Sequence, residues 1–180
     1  MGATHVVLIR GINVGGKNKV PMAELRSSLE DAGLSHVRTY IQSGNVLVDA
    51  PGASTGEVGD TVRRVLRDRF DVDTPVVTVP AEDLRSAVTD APHGFGEDDA
   101  YRWDVVFLRE TLSAEDAFAA VELRDGVDFA WQGTAVVYIR RLISQASRSY
   151  MSRLVSRPEY KHMTIRNWRT TTTLAGMLDS

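Results

Sequence analysis

A repeated apolar pattern constrains the fold of this chain more than any other feature. The run VVLIR at 6–10 returns as VVFLR at 105–109, at an offset of 99 residues. The segment GNVLV at 44–48 returns as GTAVV at 133–137, at an offset of 89. Each half reads as strand, helix, strand, strand, helix, strand, helix. The repeat predicts an α+β protein of two tandem ferredoxin-like (split βαβ) halves with mainly antiparallel sheets.

The boundary between the halves is expected at 93–100, HGFGEDDA. Residues 81–100 carry six acids against one arginine, which is typical of a solvated joint. We therefore expect a first half at 1–92, with a helix at 60–70 after a loop at 49–56. The second half is expected at 101–180.

Bulk composition narrows the class of protein. Hydrophobic residues make up 43% and charged residues 25%, as in a globular protein with a core, and the net charge of -3 excludes a generally basic nucleic-acid coat. The absence of cysteine excludes disulfides and thiolate catalysis, and it fits a reducing cytoplasm. No apolar run approaches the ~20 residues of a membrane span, so we expect a cytoplasmic protein without a membrane partner.

The segment RGINVGGKNK, residues 10–19, follows the first strand and carries three positive charges and no negative one. The chain has only three lysines among its 21 basic residues, and two of them, Lys17 and Lys19, lie here. Glycines let backbone N–H groups turn toward an anion, and lysines reach it as mobile charges. The fall in repeat offset from 99 to 89 indicates that the second half lacks these residues. Either the segment is a site, or its loss is a deletion that the second copy tolerates.

Topology predicts which neighbour this segment has. In a split βαβ sheet the first and second strands run parallel, so the segment at 10–19 and the turn at 42–45 leave the same end of the sheet. Loops over a rigid sheet often form binding sites. The candidate anion-binding residues are Arg10, Gly11, Asn13, Gly15, Gly16, Lys17, Asn18, Lys19, Gln42, Ser43 and Asn45.

Residues 11–18, GINVGGKN, nearly match the P-loop pattern GxxxxGK[ST]. Asn18 stands where the magnesium-binding hydroxyl belongs, and the next helix is expected to begin only at Pro21. No later strand ends in a suitable acid, since VVFLRE places Arg109 first. The pattern therefore argues against nucleotide hydrolysis, although the loop could still hold a phosphate or carboxylate.

A candidate second basic site lies near the C-terminus, in TIRNWRT at 164–170. A helix that begins after Asn167, flanked by Arg166 and Arg169, would attract anions. The alternative is a plain cap, with Asn167 as N-cap, Trp168 in the core and the arginines in solvent.

Other chemistries have little support in the sequence. The four histidines show no metal-ligand spacing, so no metal site is expected, and no carboxylate pair stands out as an acid and base. Ferredoxin-like sheets can stack RNA bases on aromatic residues of the central strands. Residues 6–10 have no aromatic side chain and 45–49 have no such motif, which argues against that mode.

Three long motifs, LRGINVGGKNKVPMAELR, TYIQSGNVLV and TIRNWRT, closely resemble the bacterial family known as domain of unknown function 1697. The resemblance implies two ferredoxin-like α+β halves and carries no assigned activity. One departure is TTTTLAGM after the tryptophan, where the family leads us to expect a lysine-containing helix. The positions that match are Arg10, Gly11, Asn13, Gly15, Gly16, Lys17, Asn18, Lys19, Gln42, Ser43, Gly44, Asn45, Arg166, Asn167 and Trp168.

These observations lead to a binding hypothesis: an anionic, phosphate-bearing small molecule or nucleotide held at the Gly/Lys-rich segment. The alternatives are an enzyme of unassigned phosphoryl- or nucleotidyl-transfer chemistry and a protein or nucleic-acid interaction module. The sequence specifies no cofactor, no catalytic residue and no oligomeric state, and it does not exclude a nucleic-acid partner.

Overall fold

Each half of the chain forms a four-stranded antiparallel sheet, so the predicted pair of ferredoxin-like halves is confirmed. A computed structural model describes residues 2–179. The first half contains β1 (His5–Ile9), α1 (Met22–Asp31), β2 (Ser35–Tyr40), β3 (Asn45–Asp49), α2 (Thr55–Phe70), β4 (Val76–Pro80) and α3 (Ala81–Thr89). The second half contains β5 (Tyr101–Leu108), α4 (Ala114–Ala119), β6 (Asp128–Gln132), β7 (Val136–Leu142), α5 (Met151–Leu154), β8 (Met163–Asn167) and α6 (Trp168–Gly176).

The first sheet has the order β2-β3-β1-β4, and its neighbouring strands are antiparallel. All five residues of β1 are buried, as a central strand requires. One face of this sheet packs against α1 and α2, where Leu25, Leu29, Val62 and Leu66 are each at 0% exposure. Because β1 and β2 are both antiparallel to β3, they run in the same direction and end at the same edge.

The second sheet has the order β6-β7-β5-β8, the same arrangement as the first. Val106, Val137 and Ile139 on one face pack with Ala117 of α4. The connection between β7 and β8 contains only short helical segments: α5 and two 3₁₀ helices at Ile143–Arg148 and Pro158–His162.

Contacts divide the chain into two compact units. One runs to Leu84 and includes the C-terminal residues from Gly176, and the other comprises Arg85–Ala175. The backbone N–H of Ala3 donates to the Leu178 carbonyl at 3.0 Å, which ties the C-terminal residues to the first unit.

Three local predictions differ from the structure. Helix α2 begins at Thr55, five residues earlier than the predicted start, because Ser54 and Glu57 form a capping box. Strand β5 begins at Tyr101, four residues before the repeated VVFLR. Phe95, in the segment expected to be solvated, is buried and packs edge-on against Trp103.

Candidate functional site

The segment at 10–19, here called the lysine loop, leaves the buried end of β1. The Arg10 backbone N–H donates to the Pro75 carbonyl at 3.1 Å, and the Thr74 hydroxyl donates to the Arg10 carbonyl. Ile12 is fully buried in the core of the first half. These contacts fix the base of the loop, while residues 14–19 are exposed.

Asn13 fastens the lysine loop to the neighbouring hairpin. Its side-chain Nδ2 donates to the carbonyls of Val20 and Gln42, each at 2.9 Å, and its Oδ1 accepts the Val20 N–H at 2.8 Å. The backbone of Asn13 lies in the left-handed region (φ 56°), which asparagine tolerates better than most residues. The structure thus brings the loop and the turn at 42–45 together, as the topology predicts.

The tip of the loop is a miniature hairpin. The Lys17 N–H donates to the Val14 carbonyl at 3.2 Å, and the two residues between them, Gly15 and Gly16, have φ of 60° and 75°. Two successive left-handed residues define a type I′ turn, which favours Gly-Gly. A Cβ atom at either glycine would meet nothing within 4 Å, so this turn faces open space.

This geometry is not that of a P-loop. The Asn18 Nδ2 donates to the Gly11 carbonyl at 3.0 Å, so the side chain at the hydroxyl position holds the loop closed. Pro21 is the N-cap, and α1 begins at Met22, one residue later than expected. Lys17 therefore lies well before the helix, as the argument against nucleotide hydrolysis requires.

The lysine loop carries unneutralised charge. Lys17 and Lys19 are exposed, and neither ammonium group forms an ion pair with any residue from 2 to 179. Arg10 is half-buried, and it takes part in at least one further hydrogen-bonding, ring or electrostatic interaction. The N–H groups of Gly15 and Gly16 have no hydrogen-bond partner in the described part of the chain.

The neighbouring turn, Gln42-Ser43-Gly44-Asn45, is shaped by close packing. Gly44 has φ 84°, and a Cβ there would lie 2.9 Å from the carbonyl oxygen of Ile9. Asn45 is fully buried, and its Nδ2 donates to the Tyr40 carbonyl at 3.1 Å and the Ser43 hydroxyl at 3.2 Å. Asn45 therefore supports the turn from within the core, whereas Gln42 is exposed.

The candidate second basic site is divided between structural and exposed residues. Asn167 accepts the Thr170 N–H on its Oδ1 at 2.8 Å, so the cap interpretation is confirmed for this residue. Burial lowers the pKa of Arg166 to about 10, and its Nη1 donates to the Ile165 carbonyl at 3.0 Å. Trp168 packs edge-on against Phe95, and Arg169 is exposed.

Sequence comparison connects these motifs to a known family. The family described as "Protein of unknown function (DUF1697)" matches residues 3–138, which include the lysine loop and the turn beside it. The chain belongs to the DUF1697 family. No curated protein matches it.

A solved structure resembles this DUF1697 member over the full length. The conserved bacterial protein SP0830 from Streptococcus pneumoniae is 29% identical, with a TM-score of 0.84 and coverage of 100% of both chains. That match extends the likeness to the second half beyond residue 138.

Residues 2–179 of this DUF1697 member contain neither a membrane-spanning helix nor a clustered set of metal ligands. No helix there is long and apolar enough to cross a membrane. No group of three or more histidine, aspartate or glutamate side chains is placed to hold a metal ion.

One aromatic cluster of this DUF1697 member was not predicted. The stacking hypothesis concerned strands of the first half only, whereas the second sheet carries Tyr101, Trp103, Phe129 and Trp131 around Arg140. The spacings Y-x-W, F-x-W and Y-x-R at 101–103, 129–131 and 138–140 place each pair on one face of its strand, because residues two apart on a strand share a face, but they do not show which strands are neighbours.

Proposed function

We propose that this protein binds a phosphate-bearing anion, either a phosphorylated small molecule or a nucleotide, at the lysine loop. One observation carries the proposal: Lys17 and Lys19 are exposed, and no residue from 2 to 179 forms an ion pair with them, on a loop that Asn13 fixes in place. Two ammonium groups that lie two residues apart on one loop would both attract a bound dianion. The cysteine-free composition supports a cytoplasmic location for this activity.

The proposal gives the loop residues different tasks. Lys17 and Lys19 would neutralise the ligand charge, with Arg10 at the base of the loop as a further cation. The N–H groups of Gly15 and Gly16 would donate to the phosphate oxygens from the exposed turn. Among the polar residues beside the loop, Gln42 would orient the ligand.

The other predicted ligand residues would act as a frame. Asn13, Asn18 and Asn45 use their side-chain amides within the loop and the turn. We propose that they position the lysines and do not contact the ligand. Preorganisation of this kind lowers the entropic cost of binding.

A thermal-shift experiment tests the site with orthophosphate, pyrophosphate and ATP as probes. Ligands that bind the folded state raise its melting temperature. Without ligand, a Lys17→Gln/Lys19→Gln variant should melt at the same temperature as the wild type. Its affinity for these probes should fall about tenfold or more, since each exposed charge contact contributes on the order of 1 kcal/mol.

The third lysine offers a matched control. Lys161 is exposed and lies in the second unit, so Lys161→Gln removes the same charge elsewhere and should leave the ligand-induced shift unchanged. An equal shift in the wild type and the double variant would contradict the proposal. Magnesium-dependent turnover of ATP would instead favour the phosphoryl-transfer alternative.

Two exposed apolar side chains favour an interaction module as the second candidate. Val14 is 62% exposed and Ile41 is 49% exposed. Val14 follows Asn13 and Ile41 precedes Gln42, and the Asn13 side chain donates to the Gln42 carbonyl. Apolar groups beside lysines suit an acidic protein surface. A Val14→Ser/Ile41→Ser variant that loses a binding partner but keeps the phosphate-induced thermal shift would support this candidate.

A further inference from the structure

A single arginine on the second sheet is enclosed by aromatic rings. Arg140 lies on β7 opposite Trp103 of β5 and Phe129 of β6, so the three side chains share one face of the sheet. Tyr101 precedes Trp103 by two residues on β5, and Trp131 follows Phe129 by two residues on β6, so both lie on the same face. We call these four rings and the arginine the Arg140 box.

The distances show that the guanidinium group stacks on this surface. The Arg140 Cζ lies 4.2 Å from the Phe129 ring centroid and 4.4 Å from that of Tyr101. Trp131 and Trp103 follow at 5.6 and 5.7 Å. Cation–π contact with four rings holds the side chain in one orientation without neutralising its charge.

The Arg140 guanidinium group has no anionic partner among residues 2–179. It forms neither an ion pair nor a hydrogen bond with those residues, and its Nε atom is buried without an acceptor. A guanidinium group has five N–H donors, and buried donors in native proteins are almost always paired. The remaining surface of Arg140 is half-exposed, so an acceptor can come from outside the chain.

The acidic residues of the neighbouring strands do not form ion pairs with Arg140. Asp104 is paired with Ile139 in the sheet register, which places it on the opposite face, and it accepts from Arg102 at 2.9 Å. Asp128 also lies on that opposite face and accepts from Ser149 and the Tyr150 N–H. These two carboxylates therefore do not neutralise the Arg140 guanidinium group.

We propose that the Arg140 box binds a nucleotide unit, with the phosphate on the Arg140 guanidinium and the base stacked on the tryptophan rings. A planar guanidinium matches phosphate oxygens in a bidentate manner, and aromatic rings stack any nucleobase. All four rings are half-buried, so each keeps some surface for such contact. The site uses residues of the second unit only and does not depend on the lysine loop.

Free nucleotides and single-stranded nucleic acid both supply this chemistry, and intrinsic fluorescence can distinguish them. Of the three tryptophans, Trp103 and Trp131 belong to the Arg140 box, so a stacked base should quench the emission. The probes are AMP, a ten-nucleotide oligouridylate, and ribose 5-phosphate, which has no base. AMP or the oligonucleotide should quench the tryptophan emission, and ribose 5-phosphate should not. Tighter binding of AMP would identify a free nucleotide as the ligand, and tighter binding of the oligonucleotide would identify single-stranded nucleic acid.

Two variants on the same strand provide the specific test. Arg140→Gln should raise the AMP concentration needed for half-maximal quenching by about tenfold or more, because it removes the charge that binds phosphate in a bidentate manner. Arg141→Gln makes the same change on the opposite face and should bind like the wild type. Arg140→Lys keeps the charge and should fold even if the glutamine variant does not, with intermediate affinity.

Three outcomes would overturn the proposal. The first is that no probe with a base quenches the wild type. The second is that Arg140→Gln and Arg141→Gln lose the same amount of affinity, and the third is that Lys17→Gln/Lys19→Gln loses quenching completely. The last result would assign the nucleotide to the lysine loop, whereas quenching that survives in that variant separates the two sites.

Discussion

Asn13 is the residue on which the geometry of the lysine loop depends. Its side chain makes three hydrogen bonds to backbone groups, two of them to Val20, which is 1% exposed. Asn13→Gly keeps the left-handed backbone but loses these bonds, and we expect it to cost about 2 kcal/mol of unfolding free energy. Asn13→Ala adds backbone strain and should cost about 1 kcal/mol more.

Chemical denaturation of the wild type and the two Asn13 variants measures these costs. If both variants unfold at the wild-type denaturant concentration, the side-chain bonds do not hold the loop, and the preorganisation argument fails.

Gly44 and Gly52 separate backbone strain from close packing. Their φ angles are 84° and 82°, but a Cβ at Gly44 would lie 2.9 Å from two atoms of Ile9, whereas one at Gly52 would meet nothing within 4 Å. Gly52→Ala should therefore cost about 1 kcal/mol, and Gly44→Ala roughly 2 kcal/mol more, because a backbone atom cannot yield. Equal losses of unfolding free energy would show that the approach of the turn to β1 is unimportant.

At the scale of elements, α2 depends on its capping box. The Ser54 hydroxyl accepts the Glu57 N–H at 3.2 Å, and the Glu57 carboxylate accepts the Ser54 N–H at 2.8 Å. Replacing Ser54 with alanine should cost about 1 kcal/mol. The hydrogen bond from the Ser54 backbone, followed by that from its hydroxyl, lowers the pKa of Glu57 from its ordinary 4.5.

The shifted pKa of Glu57 predicts a pH dependence. A depressed folded-state pKa means that the stabilisation is fully present above 4.5 and is lost as the pH falls through the lower folded value. The difference in unfolding free energy between the wild type and Glu57→Gln should thus shrink between pH 7 and pH 3. Urea denaturation at both pH values measures it, and a pH-independent difference would contradict the capping role.

Sequence periodicity was sufficient to predict some of the helices and strands, but not all of their bounds. The apolar run of β1 and the turn glycines predicted a buried strand and a hairpin, because burial and left-handed φ restrict residue choice strongly. The start of α2 was missed although Ser54 and Glu57 carry the capping signature, because the flanking Pro51, Gly52 and Gly56 are typical of a loop. The first four residues of β5 were missed because the repeat begins only at Val105.

For the whole molecule, the internal repeat was enough to predict the fold. Two copies of one strand pattern leave few topologies, and the split βαβ arrangement places β1 and β2 in the same direction. The adjacency of the lysine loop and the turn followed from that arrangement alone. It is confirmed by the hydrogen bond from Asn13 to the Gln42 carbonyl.

The details of both sites could not be predicted in the same way. Asn13, Asn18 and Asn45 resemble ligand residues in sequence, and only their hydrogen bonds show that they serve the backbone. The Arg140 box needs the register between strands, because Arg140 meets Trp103 and Phe129 only across the sheet. Register is a property of paired strands and is not readable from one strand's periodicity.

Backbone amide chemical shifts test the central claim most directly. With pyrophosphate added to the ¹⁵N-labelled protein, we predict saturable shifts at Gly15, Gly16 and Lys17 in the wild type. We predict that they are largely lost in Lys17→Gln/Lys19→Gln and kept in Lys161→Gln. Saturable shifts confined to other residues, or none at millimolar pyrophosphate, would contradict the account.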